Sequence, residues 1–155
     1  MKTSISCWLA CGVLLATPLA TMAQTLTPMP SSTATAPMIL VTTTDKLPEE
    51  VVDAVKAYAQ EKKWLYMGDS KAKGGEVTMV KVCIPAVGQI LWPLGLHLSA
   101  LLPCGNLGVY SKQGKTEISM LHPRYMQVLY PAPEIEKAVA LAAPLLTGML
   151  EAVAK

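Results

Sequence analysis

The spacing of apolar positions along this chain switches repeatedly between a period of two and one near 3.6, and each switch marks the border of a predicted element. Met38 to Thr44, MILVTTT, is apolar and β-branched and reads as a first strand. From Pro48 to Lys62 the apolar residues Val51, Val52, Val55, Tyr58 and Ala59 fall on one helical face. Pro48 suits the first helical position, and Glu49 and Glu50 complement the amino-terminal dipole. Trp64 to Met67 is a short second strand, and Gly68 to Gly75 is its predicted turn into a third, Glu76 to Ile84.

Alternation then sorts side chains to opposite faces. In the third strand Val80, Val82 and Ile84 share one face, and Met79, Lys81 and Cys83 the other. After Cys104, Leu107 and Val109 go together while Cys104, Asn106 and Tyr110 take the opposite side. Past the turn Lys112-Gln113-Gly114-Lys115, Ile118 and Met120 oppose Glu117 and Ser119. One apolar and one partly polar face per strand is the signature of an antiparallel sheet with helices on a single side. Between the two strand groups, Pro85 to Pro103 is apolar almost throughout. Pro85, Gly88, Pro93 and Gly95 predict a broken helix packed on the domain rather than a membrane span, since the strands on either side must meet on one side of any bilayer. Leu121 to Ala132, with His122-Pro123 and Pro131, is predicted to be irregular. A last helix from Glu134 to Val153 lines Ile135, Ala138, Val139, Ala142, Leu145, Leu146 and Met149 along one side, with Pro144 expected to kink or split it.

The amino-terminal stretch changes this picture. Lys2, the apolar run Cys7 to Leu15 and the small-residue site Thr21-Met22-Ala23 make residues 1–23 a predicted secretory signal, cleaved before Gln24, and place the protein in the periplasm or outside the cell. Gln24 to Pro37 is rich in Pro, Thr, Ser and Ala and carries no charge, which predicts a flexible tether. Residues 38–155 are then one domain. Cleavage removes Cys7 and Cys11, leaves Cys83 and Cys104, and takes the formal charge from +2 to +1, because Lys2 is the only charged residue lost. With charges spread along the chain, nucleic acid is not an expected partner. Lys71 and Lys73, beside Gly74-Gly75, are the one local group of like charge and read as a solvated turn.

Three short motifs in order carry a family resemblance: Cys83-Ile84-Pro85, then Leu102-Pro103-Cys104, then Gly108-Val109-Tyr110 with Gly114-Lys115 and Ile118-Ser119 behind it. Together they resemble the domain-of-unknown-function family 302, from about Leu40 into the last helix. The resemblance implies an α+β domain of β-α-β-β-β-β-α order, a curved antiparallel sheet with two helices on one face and an extra broken helix before Leu102-Pro103-Cys104. The family brings no established reaction, so the resemblance implies a fold and not an activity.

The candidate chemistry is sparse. If the third and fourth strands pair antiparallel, Cys83 and Cys104 come close on the less apolar face, and an exported chain favours a disulfide between them. Two alternatives stay open: a thiol–disulfide exchange or sulfur-carrying pair, and a soft-metal site for copper or zinc recruiting His97, His122, Met79 or Met126. No catalytic motif, cofactor site or close metal-ligand spacing stands out. The expectation is an exported, non-enzymatic module that binds a small ligand or partner protein through Lys81, Cys83, Cys104, Asn106 and Tyr110. No membrane span is expected in the mature chain, and homo-oligomerisation is left open.

Overall fold

The computed structural model describes residues 38–102 and 105–155; the predicted signal, the tether and Cys104 lie outside them. Five strands form one antiparallel sheet: β1 (Ile39–Thr44), β2 (Leu65–Ala72), β3 (Val77–Cys83), β4 (Gly105–Lys112) and β5 (Lys115–Leu121), in the order β1-β5-β4-β3-β2. Helix α1 (Pro48–Glu61) joins β1 to β2, α2 (Pro85–Leu91) follows β3, and α3 (Tyr125–Leu129) and α4 (Pro133–Ala154) follow β5. The fold is α+β, with the strands and helices in the expected order along the chain.

Alternation places the core. Val80 and Val82 of β3, Leu107 and Val109 of β4, and Ile118 and Met120 of β5 are all buried on one face. Against them pack Val51, Val55 and Ala59 of α1 and Ile135, Ala142, Leu146 and Met149 of α4, while α2 lies on α4 and adds Val87 and Leu91. Among the described helices, α4 is the one long and apolar enough to cross a bilayer. Its apolar side is committed to this core, with eight residues from Ile135 to Val153 buried. The helix runs on through Pro144 rather than splitting. Both Pro144 and Ala140, whose carbonyl loses its usual partner, are exposed, so water can take the missing hydrogen bond.

Two segments depart from the sequence reading. The expected turn Gly68–Gly75 is mostly strand, because β3 supplies a continuous ladder from Gly68↔Lys81 to Ala72↔Val77. Met67 is an extra residue between Tyr66↔Val82 and Gly68↔Lys81, and Gly68 takes φ 108°, which only glycine adopts without strain. The polar letters that suggested a turn belong to an edge strand, where charge and a bulge discourage pairing with another sheet. The second departure is α3, which forms within the stretch expected to be irregular. It is five residues long, too short to show a period, and is anchored by the fully buried Met126 and by Tyr125, whose hydroxyl donates to the Leu101 carbonyl at 2.8 Å.

Helix α1 ends in a Schellman arrangement. The Trp64 amide donates to the Ala59 carbonyl at 2.8 Å and the Lys63 amide to the Gln60 carbonyl at 3.1 Å, with Lys63 at φ 56° in the left-handed seat that glycine usually fills. Since an L-residue there costs roughly 1–2 kcal/mol, Lys63→Gly is expected to raise unfolding stability by about 1 kcal/mol in a urea titration. By contrast, Leu146→Ala, at 1% exposure in the middle of the core, is expected to lower it by about 2–5 kcal/mol.

Candidate functional site

The face of the sheet opposite the helices carries the side chains that alternation leaves over. Across its width run Leu65 and Gly68 of β2, Met79 and Lys81 of β3, Gly108 and Tyr110 of β4, Glu117 and Ser119 of β5, and Ile39 and Val41 of β1. Gly108 leaves room at the centre: a Cβ there would stand 2.8 Å from Ser119 Oγ, the atom that donates to the Gly108 carbonyl at 3.3 Å. Ile39 and Val41 are each 53% exposed, Leu65 55%, Met67 57% and Met79 47%.

The residues singled out from the sequence divide between two ends of this face. Lys81 is exposed and pairs in register with Gly68 on one side and Asn106 on the other. Cys83 is half-buried at the end of β3, opposite Leu65. Tyr110 lies elsewhere: it pairs with Val77, four residues from Lys81 along β3, about 13 Å at the rise of a strand. Lys81, Cys83 and Asn106 therefore cluster by register, Tyr110 does not join them, and Cys104 is outside the described residues. The candidate soft-metal ligands are also scattered. Met126 is in the core, Met79 faces outward, the His97 ring lies tilted with its centroid 6.4 Å from that of Tyr130, and His122 Nδ1 accepts from the Arg124 amide at 3.1 Å. Among the described residues no three His, Cys, Asp or Glu converge.

What the sequence reading missed is the partner of Tyr110. Its hydroxyl donates to Glu117 Oε2 at 2.8 Å, and Lys112 Nζ stands 2.9 Å from Glu117 Oε1. The signal was present: Gln113 and Gly114 both have positive φ, as a two-residue hairpin turn requires, and counting back from Lys112↔Lys115 puts Tyr110 opposite Glu117. The hydrogen bond from Lys112, then that from Tyr110, favour the ionised carboxylate and hold Glu117 below the ordinary carboxylate range. The hydrogen bond to Glu117, then burial, pushes the Tyr110 phenol up.

A family model described as "Domain of unknown function DUF302" matches residues 40–153. The chain belongs to the DUF302 family. Among solved structures, the crystal structure of an uncharacterized conserved protein DUF302 from Bacillus stearothermophilus is similar to this chain, with a TM-score of 0.67, 16% sequence identity, and coverage of 77% of this chain and 100% of that one. At that identity the likeness is one of fold. No curated protein matches the chain. The described part of this DUF302 protein thus has the family's α+β architecture, and any function rests on its own surface.

Because the folded pKa of Glu117 is depressed, its contribution to stability is present at neutral pH and is lost as pH falls through that folded value. A carboxyl NMR titration should show a Glu117 midpoint below the ordinary one, moving up in Tyr110→Phe and further up in Lys112→Ala. Unchanged midpoints in both variants would mean that the two donors do not act on Glu117 in solution.

Proposed function

We propose that this protein is an exported, non-enzymatic binding module that works through its open sheet face, and that the face pairs with a second copy of the same chain. The observation that carries this reading is the set of large apolar side chains exposed where no helix covers them. Ile39, Val41 and Leu121 stand toward one margin of the face and Leu65, Met67 and Met79 toward the other. Apolar material at both margins is self-complementary under a two-fold axis, as an isologous dimer needs. The face spans all five strands of the sheet. At strand spacings of about 4.8 Å and about 3.3 Å per residue it measures roughly 25 by 20 Å, a footprint at the small end of specific interfaces.

In light scattering over a concentration series, the mature protein is expected to approach twice its monomer mass. The double change Val41→Asp and Met79→Asp, at exposed positions that leave the core untouched, should yield a monomer with an unchanged thermal midpoint. A wild-type chain that stays monomeric up to about 100 μM would overturn the self-pairing.

The thiols belong to the same proposal. Val82 pairs with Gly105, the residue after Cys104 in sequence, and the alternation of the sequence supports a disulfide between Cys83 and Cys104 in an exported chain. A bond there closes a loop of about twenty residues and stabilises by about 3 kcal/mol in the chain-entropy model. Intact-mass measurement of the protein taken from its own compartment is expected to show a chain beginning at Gln24 and lighter by two hydrogens than its reduced form. Two titratable thiols in the native protein would refute the bond. A measured reduction potential near −120 to −230 mV, rather than below about −300 mV, would turn the assignment toward thiol exchange.

A further inference from the structure

A cleft of about 630 Å³ opens at the opposite end of the sheet from Cys83, between the start of α1, the β2–β3 turn and the end of β4. Its lining takes in Val77, Tyr110 and Lys112 from the end of the open face, but Lys71, Thr78 and Ser111 stand on the helical side, so the cleft does not rest on the sheet-face reading. Lys71 and Thr78 pair across β2 and β3 on the helix-covered face, and Ser111 shares that face on β4. The Lys71 ammonium donates to Thr78 Oγ1 at 2.7 Å, and Thr78 is only 3% exposed. A buried threonine hydroxyl thus holds the ammonium at the cleft wall, with two of its three protons left to offer.

The charges lining the cleft are uneven in their pairing. Lys73 is matched by Glu76 at 2.7 Å and Lys112 by Glu117 at 2.9 Å. Among the described residues, Lys71 has no carboxylate within ion-pair distance, and Glu49, on the α1 wall, has no cation. The two line the same cavity without pairing to each other. Pro48 gives the α1 side of it an apolar wall, and the volume lies within the usual range for small-molecule sites. A purely anionic ligand would meet Glu49 and Glu76 as well as the lysines, so repulsion offsets part of the attraction. A molecule with one anionic and one cationic group meets neither objection.

We propose that this cleft binds a small zwitterion of the amino-acid type, its carboxylate taken by Lys71 with the Ser111 hydroxyl nearby, and its ammonium by Glu49. Lysine binds a carboxylate as a point charge rather than as a planar fork, so the hydroxyls contribute the directionality. The reading also gives a role to Lys71 and Lys73, which look like a solvated turn in the sequence alone. Here the turn, with Lys73, Gly74 and Gly75 all at positive φ, curls the chain so that Lys71 sits at the cleft rather than at the tip.

The test uses the full mature chain, followed by amide chemical shifts, with L-leucine as probe, acetate and n-butylamine as its two single-charge halves, and inorganic phosphate as the anion control. Leucine is expected to shift Lys71, Thr78, Ser111 and Glu49 together and to bind at least about 10-fold tighter than either half, roughly 1.4 kcal/mol. Lys71→Gln, which can still donate to Thr78, and Glu49→Gln should each erase that advantage while leaving the thermal midpoint unchanged. Retained preference for leucine in Glu49→Gln would overturn the proposal. So would phosphate binding tighter than leucine, which makes the cleft an anion site, or leucine producing no shifts in the cleft. None of these outcomes bears on the dimer mass, so the two proposals fail separately.

Discussion

One-sided burial of the β3–β4–β5 unit is the constraint on which the rest of the molecule depends. Val80, Val82, Leu107, Val109, Ile118 and Met120 form one continuous apolar surface only in the register observed. Slipping any strand by one residue would carry its apolar set into water and drive Lys81, Tyr110 or Glu117 under the helices. The two-residue Gln113-Gly114 turn fixes the β4–β5 register from one end. Helices α1 and α4 then have a single surface to cover, and α2 packs behind them on α4. The bulge at Met67 and the charged residues of β2 sit at the sheet margin, where an irregularity costs the core nothing.

The same constraint creates two kinds of surface with different physics. On the open face, side chains stand at the regular spacing of paired strands, so what they offer a partner is apolar area interrupted by the Tyr110–Glu117–Lys112 group. At the lower edge, where α1 begins and the β2–β3 turn curls up, elements of different kinds meet at an angle and leave a concavity. A broad apolar surface suits another protein, and a concave polar one a small molecule. Buried Thr78 belongs to the second: it lines the cleft, and its hydroxyl accepts from the Lys71 ammonium.

Residues acting through local periodicity were legible in the linear chain. The strand faces of β3, β4 and β5, the α1 stripe and the α4 stripe follow from spacing alone, because a side chain's direction in a regular element is set by its neighbours in sequence. The hairpin that brings Tyr110 to Glu117 was also readable in principle, since a two-residue turn fixes every pair behind it. The β2 boundary was not. Gly68, Asp69 and Ser70 have turn-like preferences, and a ladder from β3 overrides them. Likewise α3 depends on where Met126 can be buried, which no window of five residues reveals.

By itself, the sequence determined the α+β class, the strand order along the chain, the face on which Lys81 and Cys83 stand and the family to which the chain belongs. These rest on local geometry and on short motifs held in order. Only the tertiary structure decided which distant side chains share a space: that Tyr110 stands four residues from Lys81 and not beside it, and that Lys71 of a turn-like stretch meets Glu49 of α1 in one cleft. The reason is that periodicity specifies direction within an element, whereas the meeting of elements is set by which apolar faces bury each other. That choice belongs to the whole core rather than to any segment of the chain.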